Sequence, residues 1–262
     1  MMRKLKKTVI GIILVIFIVA LSFFTWLQKK YVVPILVYHH VDYVPEGTLS
    51  LNTVSPSNFA RQMMYLRKND YIVLRFYELV NLIESGEPIP RKSVVVTFDD
   101  GYEDNYKFAF KILKKNVIPA TIFIVTDLVG VHGYLTWDEI KEMQAHGIFI
   151  GSHSRRHPYL PDLTYEQQVD EIKERRRIRK EKLGTPINFF AYPSGGFNKQ
   201  IVRIVKEAGY LGACTTNRGF NRLNTDVYEL KRIRIKNLDS DFAMWMKLSG
   251  FYNLFRAVKN PE

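Results

Sequence analysis

The sequence predicts an α/β fold, a parallel sheet curling into a barrel, behind one N-terminal membrane-spanning helix. Three observations predict it. Short β-branched apolar runs alternate with helix-period segments over about seven or eight units, and the short connections between them imply a parallel sheet. Thr8–Leu27 is a run of twenty residues without a charge, the length a helix needs to cross a bilayer. No linker, internal repeat or low-complexity tract divides residues 31–262. Residues 1–30 therefore read as a cytoplasmic tail and anchor, and residues 31–262 as one domain.

The anchor comes first. Arg3, Lys4, Lys6 and Lys7 precede the uncharged run, and only Lys29 and Lys30 follow it closely. That bias keeps the N-terminus in the cytoplasm and sends the domain outside, as a single-pass protein of the cell membrane. A cleaved signal would have a shorter apolar region ending in small residues; Ala20-Leu21-Ser22 is an imperfect match lying inside the run, so the segment reads as uncleaved. Net charge is +12, of which residues 1–30, with six basic and no acidic residues, carry half. The remaining domain is mildly basic, which suits anionic headgroups or wall polymers and does not call for nucleic acid. Cys214 is the single cysteine, which excludes an internal disulfide and a cysteine metal cage. It lies in a strand-like segment and reads as a buried thiol.

The elements then follow in order. Val32–Tyr38 is a strand, ending in His39-His40. Residues 42–57 are polar and turn-rich, and Ser57 is expected to cap a helix with Phe59, Met63 and Leu66 on its apolar face. Tyr71–Leu74 is a strand and Tyr77–Ile83 a helix closed by Gly86. Val94–Phe98 is a buried strand, followed by a helix with Tyr106, Phe110 and Leu113 on one face. Ala120–Val125 is a strand. Thr136 and Glu139 have capping-box spacing and open a helix that ends at Gly147. Ile148–Ile150 is a strand running into His153. Thr164 and Gln167 open a helix whose Lys173, Arg175, Arg176, Arg177, Arg179 and Lys180 are interspersed with glutamates and read as a solvated face. Ile187–Ala191, Tyr210–Thr215 and Glu229–Ile235 are strands. Asn198–Ala208 is a helix, and Phe242, Trp245 and Met246 suggest a last helix against the body.

The chemistry gathers at strand ends. Asp99 and Asp100 follow the Val94–Phe98 strand. Successive side chains of a strand point to opposite sides, so two adjacent acids share a site only if the backbone turns, which Gly101 permits. A bare Asp-Asp-Gly is commonly just a turn or a helix cap. Here His39, His153 with His157, and Tyr192-Pro193-Ser194 also follow strands, and a parallel barrel delivers every strand's carboxyl end to one rim. His153 and His157 have i, i+4 spacing, but Pro158 disfavours a helix at His157, so a structured turn is expected. Two imidazoles and a carboxylate make a set suited to a divalent metal with open positions.

Thr97-Phe98-Asp99-Asp100-Gly101, His153-Ser154-x-x-His157 and Phe190-Ala191-Tyr192-Pro193-Ser194-Gly195 resemble the first three motifs of the NodB-type polysaccharide deacetylases, carbohydrate esterase family four. The resemblance covers about residues 33–236. It implies a distorted (β/α)7 barrel, with Asp100, His153 and His157 holding a divalent metal, commonly zinc. It makes Asp99 the general base and puts Tyr192, Pro193 and the backbone N–H of Ser194 at the substrate. Ala191 stands where the family usually has an Arg that orients the catalytic Asp. No Asp-Trp motif follows Gly209-Tyr210, and no His follows His157 to form the late Leu-x-His motif. Leu36-Val37-Tyr38-His39 looks like that last motif moved to the front, as in the circularly permuted branch of the poly-N-acetylglucosamine deacetylases. His39 would then be the general acid, His40 a neighbour, and Arg232 a substitute for the missing Arg.

The implied activity is metal-dependent removal of N-acetyl groups from the N-acetylglucosamine units of an extracellular or cell-wall polysaccharide, with release of acetate. Three other readings stand beside it. A catalytically inactive deacetylase fold that binds wall glycan is favoured by the missing Arg and Asp-Trp. An Fe(II) oxygenase would share two His and one carboxylate, but on a different fold. A purely structural membrane protein would leave the clustering of polar residues at strand ends without cause.

Overall fold

The computed structural model describes residues 2–30, 33–45, 50–173, 182–184, 186–217 and 226–249. The chain divides into two units, Met1–Val32 and Val33–Glu262. The first is one helix, α1 (Met2–Lys30, 29 residues). Its side chains are described from Lys7 to Phe23, and all of these are exposed. Among the described residues no helix is long and apolar enough to cross a membrane. The span expected over Thr8–Leu27 continues past Phe23, where the side chains lie outside the described residues.

The second unit is built on a parallel sheet. Its strands are β1 (Ile35–Tyr38), β4 (Ile72–Val73), β5 (Ser93–Phe98), β6 (Ala120–Ile124), β7 (Ile148–Ser152), β8 (Phe189–Ala191), β9 (Gly212–Cys214) and β10 (Ile233–Arg234), with a separate pair, β2 (His40–Val41) and β3 (Thr53–Val54). The order is β10-β1-β5-β6-β7-β8-β9, with β4 beside β5. All six residues of β5 are buried, as expected for a strand covered on both faces. The outer edges are joined through a short segment: Thr215 N donates to Leu230 O (2.8 Å), Leu230 N to Ala213 O (3.0 Å) and Arg232 N to Asn217 O (2.9 Å). The result is an α/β half-barrel of parallel strands, its edges tied by this segment on the way into β10. Strands here are two or three residues long, which is where the sheet departs from a regular barrel.

The helices of this unit are α2 (Pro56–Lys68), α3 (Phe76–Ser85), α4 (Lys111–Asn116), α5 (Trp137–Ala145), α6 (Tyr165–Ile172), α7 (Lys199–Glu207) and α8 (Asp241–Ser249). Gly86 closes α3 at φ +70°, and Thr136 and Thr164 form the expected capping boxes. Three expectations are corrected. The cap of α2 is Ser55, whose hydroxyl accepts from Asn58 N at 3.3 Å, not Ser57. Pro56 takes the first helical position, where its missing N–H costs nothing, and so sets the start two residues earlier. The helix after Asp100 opens with a π-helical turn (Asn105–Phe110) before α4, and Tyr106 is only half-buried, its hydroxyl donating to Glu142 at 2.5 Å. Helix α8 packs through Met244 and Leu248, while Phe242 and Trp245 stack on each other and stay exposed. Of the basic run, residues 174–181 lie outside the described residues.

Candidate active site

The site begins where β5 runs out. Asp99 N still donates to Tyr38 O (3.0 Å), continuing the ladder with β1. The chain then makes a three-residue turn in which Gly101 N donates to Asp99 O (2.9 Å), with Asp100 at its centre at φ +70°. This is a strained conformation for a residue with a Cβ, and it lets two adjacent carboxylates serve one site. The turn starts at Asp100, one residue before the glycine that was expected to make it. Gly101 is also required, since its φ is +77° and a Cβ there would lie 3.0 Å from Ile124 Cγ2.

Asp99 is almost fully buried, as is Arg232. Arg232 Nη1 donates to Asp99 Oδ1 at 2.7 Å and Nη2 to Oδ2 at 2.6 Å, a bidentate pair. The guanidinium is itself held by Nε donating to Thr215 O (2.9 Å) and by a contact to the Thr97 hydroxyl (3.3 Å). Burial alone would raise the Asp99 pKa. Arg232, with His153 and His39 adding to it, outweighs burial and holds the carboxyl well below the usual carboxylate range.

His153 follows β7, its backbone N donating to Ile124 O (2.9 Å). Its Nδ1–H donates to Ala191 O at 2.8 Å, which fixes the tautomer and leaves Nε2 with a free lone pair. Burial pushes its pKa down against the pull of Asp99 and Asp100, the direction that favours the neutral ring a ligand presents. The segment to His157 is a turn rather than a helix, with Ser154 at φ +63° and His157 at φ +64°. Three groups brace it. Ser154 Oγ accepts from His157 N (3.1 Å). Buried Glu171 of α6 accepts from the backbone N–H groups of Arg155 (3.0 Å) and Arg156 (2.9 Å) and from Arg156 Nε (2.7 Å). Arg155 is pinned to Asp127 (2.8 Å) and Asp170 (2.7 Å).

The turn brings His153 Nε2 to 3.5 Å and His157 Nε2 to 3.4 Å from Asp100 Oδ1. The donor atoms of Asp100, His153 and His157 lie within 4.8 Å of one another. Two ligands about 2.1 Å from one ion at a tetrahedral angle are about 3.4 Å apart, so both the donor chemistry and the spacing fit a divalent metal.

His39 follows β1, half-buried. Burial lowers its pKa, opposed by Asp99 and Asp100 and reinforced by Arg232 and Arg234, and the Tyr38–Phe98 register sets its backbone beside Asp99. His40 turns elsewhere: its Nδ1–H donates to Asp104 at 2.6 Å and its ring stacks on Tyr102 at 3.6 Å. Ser194 is exposed at φ +51°, on a short 3-10 turn. Tyr192 and Pro193 are buried, with Tyr192 OH donating to Tyr228 O (3.0 Å) and its ring stacked on Phe197. Of the three residues expected at the substrate, Tyr192 and Pro193 thus turn their side chains inward. An apolar ring after β8 is drawn into the core, and only Ser194 reaches solvent.

Sequence reasoning did not find Asp104, Asn105 or Glu171. Asp104 and Asn105 lie just beyond Asp-Asp-Gly, so position alone was a signal. Glu171 gave none, because it belongs to the helix whose charges read as a solvated face.

The sequence pattern of the family described as "Polysaccharide deacetylase" matches residues 86–213. The Bacillus subtilis protein YxkH, placed by its name among the polysaccharide deacetylases, is 33% identical over 208 residues, covering 79% of this chain and 73% of its own. A poly-beta-1,6-N-acetyl-D-glucosamine N-deacetylase of Staphylococcus aureus is 28% identical over 214 residues, 76% of this chain and 73% of that one. Among solved structures, the Streptococcus pyogenes deacetylase PplD in complex with acetate superposes with a TM-score of 0.79 at 29% identity, covering 84% of this chain and 99% of that one. His39 and Arg232 both fall outside the family match and are brought to Asp99 from opposite sides of it. With this fold, this donor cluster and these relatives, a poly-N-acetylglucosamine deacetylase among them, the chain belongs to the NodB-type polysaccharide deacetylases.

Proposed function

We propose that this protein hydrolyses the N-acetyl groups of N-acetylglucosamine units in an extracellular or cell-wall polysaccharide, releasing acetate and leaving free amines. The observation that carries the reading is the joining of two groups at one strand end: the Asp100, His153 and His157 donor cluster and, one residue before Asp100, a carboxylate held by a buried arginine. The names of the relatives support the substrate and the product, one acting on a poly-N-acetylglucosamine and one holding acetate. A divalent ion held by Asp100, His153 and His157, with zinc suited to two imidazoles and a carboxylate, would polarise the acetamide carbonyl and acidify the attacking water.

The chain's own residues do the rest. Asp99, kept anionic by Arg232, takes a proton from the water as its oxygen bonds to the carbonyl carbon. The Ser194 backbone N–H, at the start of a turn where such groups have no partner within the turn, meets the charge that develops on the carbonyl oxygen. His39 gives a proton to the nitrogen as the carbon–nitrogen bond breaks. The inactive-fold reading draws on a missing arginine and a missing Asp-Trp motif; Arg232 makes the contact such an arginine would make, which removes the first ground.

The same proposal places the domain outside the cell on an uncleaved N-terminal anchor. The uncharged run Thr8–Leu27 would span about 30 Å as a helix. Its described apolar side chains are all exposed, and the lysine and arginine excess before it favours an inside N-terminus. Acetate release from an N-acetylglucosamine oligomer is the direct test. It is expected to stop on chelation and return with zinc; release that is absent from the metal-loaded protein, or indifferent to chelator, would overturn the reading.

A further inference from the structure

Among the described residues the His39 imidazole makes no hydrogen bond, so its position is set by its backbone, which leaves β1 beside Asp99. It is the first residue beyond the β1–β5 ladder, which ends at Tyr38 opposite Phe98. What holds it there comes from the loop that carries the acid pair. Asn105, fully buried, donates through Nδ2 to His39 O at 2.8 Å and to Asp104 Oδ1 at 2.7 Å. Asp104 Oδ1 accepts from Val41 N at 3.0 Å, and Oδ2 accepts from His40 Nδ1–H at 2.6 Å. Tyr102 closes the group, its ring stacked on His40 with planes 21° apart. Residues 39, 40 and 41 are thus each gripped by a neighbouring pair that lies four and five positions after Asp100. The pair stands at the entry to a π-helical turn (Asn105–Phe110), a local irregularity that recurs at functional sites.

We infer that Asp104 and Asn105 are positioning residues for the general acid, fixing His39 relative to Asp99 and Asp100 by clamping its carbonyl and the two residues after it. The inference rests on His39 being the proton donor of the proposed reaction. It has a chemical signature that fold or metal effects lack. An amine leaves only with a proton, whereas an aryl oxide leaves without one. Misplacing the acid therefore slows amide cleavage and spares an activated ester, while loss of the metal or of Asp99 slows both.

The test compares Asn105→Ala, Asp104→Asn and, as reference, His39→Ala on two substrates, an N-acetylglucosamine oligomer and 4-nitrophenyl acetate, with metal content measured in each. Displacing a catalytic group by about 1 Å costs on the order of 100-fold. Asn105→Ala should therefore lower kcat for the oligomer by roughly 10–100-fold with little change in KM, and Asp104→Asn by less. Aryl acetate turnover should stay within about a factor of three, with metal retained. If both activities fall together, the pair supports the Asp99 loop and not the acid, and the inference fails. If His39→Ala shows the split and neither clamp variant does, the clamp is wrong and the acid assignment stands. If His39→Ala itself spares the oligomer, the acid assignment fails. Asp104→Asn keeps the side-chain shape, so it carries the test should Asn105→Ala not fold.

Discussion

Arg232 and Asp99 show how a single residue pair is chosen for function over stability. A buried ion pair is a poor source of folding energy, yet removing one partner strands the other's charge and costs about 3–5 kcal/mol. Arg232→Met should destabilise the fold by about that amount and abolish acetate release. The pH dependence follows from the depressed Asp99 pKa. A carboxyl of this kind stabilises the fold above its unfolded value, about 3.9, and that contribution is lost as pH falls through the folded value. The melting-temperature gap between wild type and Arg232→Met should be widest near neutral pH. It should narrow as pH falls, first as the orphaned Asp99 takes up a proton and then as wild type loses its pair. A gap that is constant from pH 7 to pH 3 would show that the pair is not an ion pair in solution.

At the scale of elements, the His153–His157 turn depends on a helix remote from the substrate. Two residues in it have positive φ, and such backbone persists only when its surroundings over-determine it. Glu171 of α6 supplies that, with one buried carboxylate oxygen accepting two consecutive backbone N–H groups. Glu171→Gln keeps an oxygen for those donors but turns an amide toward Arg156 Nε, a donor facing a donor. Metal affinity should fall roughly 10–100-fold, as with other groups that orient ligands, while circular dichroism stays native and added zinc restores turnover. Unchanged affinity by competition with a chelating dye would mean that the turn holds its own shape.

At the scale of the whole molecule, the site draws on the front and the back of the domain at once. His39 enters from β1, the metal donors from the loops after β5 and β7, and Arg232 from the segment before β10. The residues after β1, β5 and β7 meet because the carboxyl ends of parallel strands share one rim, and Arg232 joins them from the segment that precedes β10. Upstream of the domain, the uncharged run makes its own prediction. The full-length protein should remain in the membrane fraction, with its domain open to protease added from outside. Secreted material whose N-terminus maps near Phe23 would replace the anchor with a cleaved signal.

The alternation of strands and helices, the capping boxes at Thr136 and Thr164, and the gathering of Asp100, His153 and His157 were legible in the chain itself. Each rests on short-range chemistry: hydrophobic period, side-chain oxygens three residues from a backbone N–H, and ligand types at strand ends. The turn at His157 was legible too, because Pro158 restricts the residue before it. Tertiary structure alone decided the rest. That Arg232 reaches Asp99 depends on a segment 133 positions away lying along β9, and that Tyr192 is buried depends on the core space beside Phe197 and Tyr228. Glu171 looks like any surface glutamate until α6 packs it beneath the histidine turn. His39 and His40 are neighbours of the same type, and the groups that hold the His40 ring, Asp104 and Tyr102, arrive from another strand's loop. Sequence pattern reports which groups are available; which of them meet is set by long-range packing, where the partners are distant in the chain and carry no local signal.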